Sequence, residues 1–377
     1  METWFTFENL YKAYRDCRKG KSASLNCLRF SYALEDNLLA LERELVERTY
    51  RPGRSIAFIV QRPKIREIFA AEFRDRVVHH LLFNYLSPRF ERAFIHDSWA
   101  CRKGKGTHRA SLRLRQFMAG ASQDLGKKDA FYLKMDIRSF FTSIDQEILY
   151  NLVTQKIKNQ EILWLARTII FHDCARDIPP KRQSSPALFN RLPAQKSLFK
   201  VPKGKGLPIG NLTSQFFANV YLNELDQYVK HNLKARRYLR YVDDLVVVGE
   251  RRETLERFRD EFSVFTANRL ALRFHPAKTV IRPLTCGIDF VGYFARFGYT
   301  LARRRTVSDW RRRLESLRLA PRRKGRQAME SYLAHAKWAD AYWLQQKMLA
   351  LFPRFRPLPK GRLDELGKIE FLNLMEE

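Results

Sequence analysis

Two aspartates stand side by side in Tyr241-Val242-Asp243-Asp244, inside the otherwise apolar-rich run 236–249 (RRYLRYVDDLVVVG). Adjacent carboxylates between apolar strands repel each other, and their pKa values separate unless cations intervene. Aspartate is also an ordinary hairpin-turn residue, and for this tetrapeptide alone two solvated turn side chains are the simpler reading. Asp136 shifts that balance. It follows Leu133-Lys134-Met135 in a stretch, Phe131 to Ile137, that reads as a core strand, where a charge is unexpected. If strand and hairpin lie side by side, three carboxylates converge. Such a set suits two Mg²⁺ ions about 4 Å apart, a clamp for in-line phosphoryl transfer.

Those acids need elements to hold them. The 236–249 run predicts a β-hairpin about a tight Asp243-Asp244 turn. Ser143 and Gln146 predict a capping box for a helix with Ile148, Leu149 and Leu152 on one face. Leu28, Tyr32, Leu38, Leu41, Leu45 and Val46 follow a rough 3.6-residue period, which predicts a helix over 28–50, stopped by Tyr50-Arg51-Pro52-Gly53. Ser55 to Val60 predicts a strand, and the basic turn Gln61 to Ile68 feeds a second. Asp75 to Leu86 predicts a helix ended by Ser87-Pro88. Residues 173–206 carry five prolines and little periodicity, which predicts a long inserted loop. Val280 to Phe297 is strand-rich. From Arg303 the arginine runs 303–305, 311–313 and 322–324 precede a helix with Met329, Leu333, Ala336, Ala339 and Trp343, which predicts a basic helical subdomain.

Composition narrows the partners. The 377 residues include 70 Lys+Arg against 40 Asp+Glu, a formal charge of +30. The length suggests two or three subdomains around a shared core, and 45% hydrophobic residues suffice to bury one. So large an excess costs self-repulsion and calls for a polyanion, nucleic acid before an anionic membrane. No run of about 18 apolar residues occurs, and Met1 to Leu10 is acidic and aromatic, unlike a signal peptide. No membrane partner and a cytoplasmic location are therefore expected. Five cysteines without a CxxC speak against a disulfide framework or zinc ribbon. The Gly-rich loop 101–109 (CRKGKGTHR) lacks the GxxxxGK[ST] order of a Walker NTPase.

Several blocks, taken in order, resemble a reverse transcriptase. They are KIREI with DRVVHHLL, WACRKGKGTHRA, FYLKMDIRSFFTSID, GLPIGNLTSQFFANVYLNELD, RYVDDLVVVG, FHPAKT and GIDFVGY. Each is weak alone; their joint order is specific. The resemblance implies an α+β, right-hand polymerase fold with fingers, a palm built on an antiparallel sheet, and a helical thumb. Residues 1–130 would form an N-terminal segment and fingers, 131–149 the first part of the palm, 150–205 a fingers insertion, 206–300 the second part of the palm, and 301–377 the thumb.

The resemblance also implies roles. Asp136 and Asp243 would ligate two Mg²⁺ ions (or Mn²⁺), Asp244 would complete the acidic set, and the Ile137 carbonyl would be a further ligand. Phe141 stands at the place of an aromatic gate against the ribose 2′-OH; the alternative is core packing, with Phe140 as the core member of the pair. Arg62, Lys64 and Arg66 would grip the triphosphate, unless they are a solvated basic turn. Lys278 stands where relatives carry a lysine near the site. Ile209-Gly210 would lie beside the nascent base pair, with Gly210 admitting a base or sugar closely. Arg102, Lys103 and Lys105 would hold template phosphates, and Arg303, Arg304, Arg311 and Arg312 the duplex backbone. The aromatics Trp310, Trp338, Tyr342 and Trp343 are expected to be core rather than base-stacking.

Most reverse transcriptases carry Gln-Gly at Ile209-Gly210 and end the block in Ser-Pro, where this chain has Ser214-Gln215. The IGNLTSQ form resembles the reverse transcriptases of diversity-generating retroelements. Those copy a template-repeat RNA with errors at adenines, and the cDNA rewrites a variable gene. Glutamine exchanges hydrogen bonds beside a nascent pair whereas isoleucine only packs, which gives loose discrimination a physical basis. The resemblance implies template RNA, cDNA or primer, dNTPs, and an accessory variability protein (a basic helical-bundle oligomer) as partners. Alternatives are a retron, group II-like or phage-defence reverse transcriptase, and a noncatalytic RNA-binding scaffold. Against the first two stand the missing NAxxH and VTG signatures, the missing Cys/His endonuclease module and a chain that ends soon after the thumb. Intact fingers blocks speak against the phage-defence type, and the three retained acids against the scaffold. No RNase H activity is expected.

Overall fold

The computed structural model describes residues 3–62, 64–125, 130–249 and 251–357. The helices are α1 (Phe7–Arg18), α2 (Leu25–Tyr32), α3 (Leu34–Val46), α4 (Phe73–Glu91), α5 (Thr107–Leu125), α6 (Phe140–Ser143), α7 (Gln146–Lys156), α8 (Gln160–Ile170), α9 (Pro186–Asn190), α10 (Leu212–Gln227), α11 (Arg252–Leu270), α12 (Arg304–Ser316), α13 (Arg322–Ala336) and α14 (Tyr342–Leu351). The strands are β1 (Ile56–Val60), β2 (Arg66–Ala70), β3 (Phe131–Asp136), β4 (Lys181–Arg182), β5 (Tyr238–Tyr241), β6 (Asp244–Val248), β7 (Val280–Pro283), β8 (Ile288–Phe290), β9 (Tyr293–Ala295) and β10 (Thr300–Ala302). The chain divides into two compact units, Met1–Lys105 with Tyr132–Ile281, and Gly106–Phe131 with Arg282–Glu377. This division places residues 106–131 with the C-terminal helices.

A sheet of order β5-β6-β3-β7, antiparallel across β5, β6 and β3, carries the acids. β3 pairs with β6 so that Asp136 faces Asp244, and β5 pairs with β6 so that Tyr241 faces Asp244. Its strands are buried through Leu133, Met135, Leu245, Val246, Val247 and Val248. α10 packs on α4, α7 and α11. Twelve of its sixteen residues are buried, so it is enclosed nearly all round rather than along one stripe, with Asn219, Asn223 and Asp226 among the buried residues. A second sheet, β2-β1-β4, is antiparallel between β1 and β2 and parallel between β1 and β4. Ala57, Ile59 and Phe69 of this sheet form a core with Phe189, Leu198 and Val201 from the inserted segment.

That segment, 173–206, is therefore not a free loop. β4, α9 and a 3₁₀ turn (Ala194–Lys196) interrupt it. Buried Glu67 on β2 pins it by accepting hydrogen bonds from Ser197 Oγ (2.9 Å) and the Leu198 N–H (2.7 Å). Burial pushes the Glu67 carboxyl above its usual range, and these two bonds oppose the shift.

Local expectations fail where tertiary packing or capping overrides them. The predicted 28–50 helix breaks at Ala33 into α2 and α3. α4 runs past Ser87-Pro88 to Glu91, because Leu86 and Phe90 are buried on either side of the proline. Asp145, not Ser143, caps α7, accepting from the Glu147 and Ile148 N–H groups at 3.0 Å. Ser143 instead closes α6, bonding back to the Arg138 carbonyl.

The second unit contains α5, the sheet β10-β9-β8 and α12–α14. Its core gathers Leu314, Met329, Tyr332, Met348, Phe352 and Phe355, with Trp310 packed against it. The helix predicted through Met329 to Trp343 is divided into α13 and α14. The expectation that all four aromatics are core holds for Trp310 and fails for Trp343, which is 82% exposed, and Tyr342, 64% exposed. They begin α14 while that helix buries Met348. Trp338 lies flat on His108, 5.2 Å between ring centroids.

Candidate active site at the hairpin turn

The turn between β5 and β6 is Val242-Asp243, one residue earlier than predicted; Asp244 already belongs to β6. Val242 has φ 55°, in the left-handed region. A β-branched residue rarely enters it, so the surroundings must hold it there. Two bonds do so. Arg240 Nη1 donates to the Val242 carbonyl (3.0 Å), and the Ile137 N–H donates to the Asp243 carbonyl (3.2 Å). The second tie joins the turn to the residue after Asp136. Asp136 is fixed in turn by its own carbonyl, which accepts from the His275 N–H at 2.8 Å.

The electrostatics separate the three acids. Burial first, then the nearby Asp136 charge, push the Asp243 carboxyl above its ordinary range, while Lys278 and Arg66 pull it back. Lys278 Nζ lies 2.6 Å from Asp136 Oδ1, so its charge serves both acids. Asp244 is raised to about 6, chiefly by burial. Its Oδ2 lies 3.2 Å from Lys134 Nζ, and its Oδ1 is buried without a hydrogen-bond partner.

The three acids lie at one end of the sheet, Asp136 opposite Asp244 and its charge acting on both Asp243 and Asp244. Among the described residues no group of three His, Cys, Asp or Glu side chains is placed to hold one metal ion. The structure pairs Asp136 with Asp243 under one ammonium and leaves Asp244 on Lys134. The donor chemistry of the pair suits a hard divalent cation. Two repelling carboxylates already draw a cation to themselves in the form of Lys278.

The remaining expected residues fall into distinct settings. Arg62, Lys64 and Arg66 are exposed on and before β2, and of the three Arg66 appears among the charges acting on Asp243. Phe140 is buried and Phe141 only partly so, their rings edge-on at 5.4 Å. The Ile209 carbonyl accepts from the Phe69 N–H at 2.8 Å, which ties the segment before α10 to β2. Gly210, at φ +134°, has no room for a Cβ against the Phe69 carbonyl. This position therefore requires a glycine for close approach of the chain's own backbone at Phe69.

Two of the three expected phosphate binders in the basic loop are otherwise engaged. The Arg102 side chain is nearly buried and donates to Glu91 and to the Ile95 and Ser98 carbonyls. That accounts for its position structurally and corrects the reading of a free template contact. Lys105 donates to the His96 carbonyl and lies 4.3 Å over the Trp99 ring. Lys103 is exposed. In the second unit Arg303 is tied to Asp289, Arg312 neighbours Asp309, and Arg304 and Arg311 are exposed on α12.

Sequence reasoning missed Arg240 and Asp226. Their signal was legible as an arginine three residues before Asp243, inside a run of strand formers, with no stated acid to answer it. It also missed Lys134 as the partner of Asp244, two residues before Asp136 on the same strand face.

Comparison with known proteins places these features. A family model described as reverse transcriptase (RNA-dependent DNA polymerase) matches residues 60–294. Nuclear intron maturase 1, mitochondrial, of Arabidopsis thaliana is 29% identical over 105 residues, 27% of this chain and 14% of the relative. Group II intron-encoded protein LtrA of Lactococcus lactis subsp. cremoris is 20% identical over 354 residues, 76% of this chain and 54% of the relative. The chain spans about half or less of the length of these curated relatives. Among solved structures, telomerase from Candida albicans with a fragment of telomeric RNA matches at TM-score 0.48 and 13% identity, over 68% of this chain and 46% of that one. Apo telomerase from Candida tropicalis matches at 0.46 and 12%, over 66% and 48%.

Proposed function

This chain belongs to the reverse transcriptase (RNA-dependent DNA polymerase) family, and from that premise we propose that it copies an RNA template into cDNA at the Asp136–Asp243 pair. Its fold is the α+β right-hand polymerase fold. The observation that carries the reading is the held pair of acids, flanked by Lys278 and by the charge of Arg66. The primer 3′-OH attacks the α-phosphate of a dNTP, and pyrophosphate leaves. Magnesium or manganese bound by Asp136, Asp243 and the Ile137 carbonyl would supply the lowered hydroxyl pKa and the charge neutralisation that the transfer needs. Arg66, with Arg62 and Lys64, meets the triphosphate, and Lys278 turns from Asp136 toward it. Phe141 stands against the ribose and disfavours a 2′-OH. Asp244 acts as support, keeping Lys134 beneath the sheet end. Lys103 and the α12 arginines hold nucleic-acid backbone.

We further propose that the copying is error-prone at adenines, as in a diversity-generating retroelement, with a template-repeat RNA and an accessory variability protein as partners. Support comes from Ile209 and Ser214-Gln215 in the block before and within α10. A second reading, copying of a group II-type intron RNA, is favoured by the similarity to intron-encoded proteins. Sequencing cDNA made by the purified protein on the RNA transcribed beside its gene separates the two. Adenine-focused substitutions that diminish in Ile209→Gln support the first reading. Faithful cDNA, or a spectrum unchanged by that substitution, removes it.

A further inference from the structure

Arg240 is fully buried in β5, and all five of its guanidinium N–H donors have an acceptor. Nε meets Asp226 Oδ1 at 2.8 Å and Nη2 meets Asp226 Oδ2 at 2.6 Å, a fork-on-fork pair. Nη2 also reaches Ser98 Oγ (3.1 Å). Nη1 divides between Asn219 Oδ1 (3.2 Å) and the Val242 carbonyl (3.0 Å). Asp226 is equally buried and takes a third bond from the Tyr238 hydroxyl at 2.7 Å. The Arg240 main chain is fixed as well, its N–H on the Asp97 carbonyl and its carbonyl on the Trp99 N–H.

The placement is informative because a buried ion pair is a poor source of stability in itself. An apolar pair of similar volume does as well or better. What this pair supplies is geometry. It joins β5, α10, the 97–99 segment and the carbonyl of Val242, the residue whose left-handed backbone puts Asp243 beside Asp136. A lysine would keep a charge for Asp226 but could not span both the acid and the turn carbonyl.

We propose that Arg240, clamped by Asp226, is a positioning residue for Asp243: it holds the strained turn in the one conformation that brings that carboxylate to Asp136. This inference rests on the polymerase reading for its kinetic consequence, though not for its structural one. The test compares the wild-type chain with Arg240→Lys and with the triple substitution Arg240→Met, Asp226→Leu, Tyr238→Phe. The triple replaces the ion pair and its tyrosine with apolar groups and leaves no buried charge unpaired, while Ser98 and Asn219 are kept. Two readouts are used. The first is Mn²⁺ binding followed by electron paramagnetic resonance, without nucleic acid or dNTP. The second is single-turnover primer extension on an RNA template at saturating dNTP.

Both variants should melt within a few degrees of wild type or, for Arg240→Lys, retain the wild-type circular dichroism at 20 °C. Mn²⁺ affinity should fall roughly tenfold in each. Extension rate should fall about a hundredfold, with the dNTP concentration for half-maximal rate changed less than about threefold, as for an interaction felt in the transition state. A folded variant of either kind with wild-type Mn²⁺ affinity and rate overturns the proposal, and so does a loss confined to melting temperature. If wild-type protein makes no cDNA yet the Mn²⁺ difference appears, the polymerase reading fails and the positioning role stands.

Discussion

The hairpin turn and helix α12 use charge in opposite ways. At the turn each charge has one fixed partner: Arg240 on Asp226 is fully buried, Asp244 on Lys134 is largely so, and Asp136 is met by Lys278, whose side chain is 45% exposed. On α12, Arg304, Arg311, Arg312 and Arg313 are exposed, and Asp309 is the acid that Arg305 and Arg312 share. Buried pairs act through position, because the low local dielectric makes each ångström count. Exposed arginines act through number, because water and salt screen them. One region should therefore fail when a single atom is changed, and the other only by degrees.

The sharpest way to break that contrast is at the pair itself. Asp136→Asn keeps the strand and its shape but removes the charge that answers Lys278, and should lower primer extension by about 10³-fold or more. Template–primer affinity measured by anisotropy should change little. A variant with a few per cent of wild-type rate would mean that the acid is not central. By contrast, the Arg311→Glu, Arg312→Glu pair should leave the saturated rate near wild type and weaken template–primer binding about tenfold or more at moderate salt. The slope of log affinity against log salt should shrink by roughly 2, about one per lost phosphate contact. An unchanged slope would place α12 away from nucleic acid.

Phe141→Ala tests geometry at the half-buried ring. Discrimination between dNTP and rNTP should relax about tenfold in competition assays while melting temperature stays close to wild type, since Phe140 is the buried member of the pair. A large loss of stability with unchanged discrimination would make Phe141 a core residue after all.

The smallest effect concerns Asp244. Its carboxyl titrates at about 6 in the folded chain, above the ordinary 3.8 expected when unfolded. Between those values the folded state binds the extra proton, so wild-type stability falls as pH rises through that window. Asp244→Asn does not titrate. Its stability relative to wild type should rise between pH 4 and pH 7, by on the order of 2 kcal/mol. Thermal melts at pH 5 and pH 8 read the difference directly, and a gap that does not widen at pH 8 contradicts the burial-driven shift.

Much of the site was legible because it is written locally. Asp136 after an apolar strand, the paired acids of the hairpin and the order of the blocks all survive without knowledge of packing. What sequence could not reveal depends on long-range partners. Arg102 looked like a phosphate contact from its loop, and only the fold shows Glu91 and two carbonyls taking its donors. Gly210 looked like a glycine kept for a nucleotide, and only the fold shows that the Phe69 carbonyl already forbids a Cβ there. Pro88 looked like a helix stop, yet burial of Phe90 carries the helix past it. Trp343 and Tyr342 kept the spacing of a core stripe across a break between α13 and α14 that local pattern does not mark. The inserted segment read as structureless because its anchors, Glu67 and Phe69, lie more than a hundred residues away.

The most direct measurement is primer extension by the purified wild-type chain on a heteropolymeric RNA with Mg²⁺ and the four dNTPs, the product sequenced and compared with Asp243→Asn. The account predicts cDNA complementary to the template along its length from wild type, and only background from the variant. Equal background from both, with RNA still bound, would contradict it and leave a polymerase fold that binds RNA without copying it.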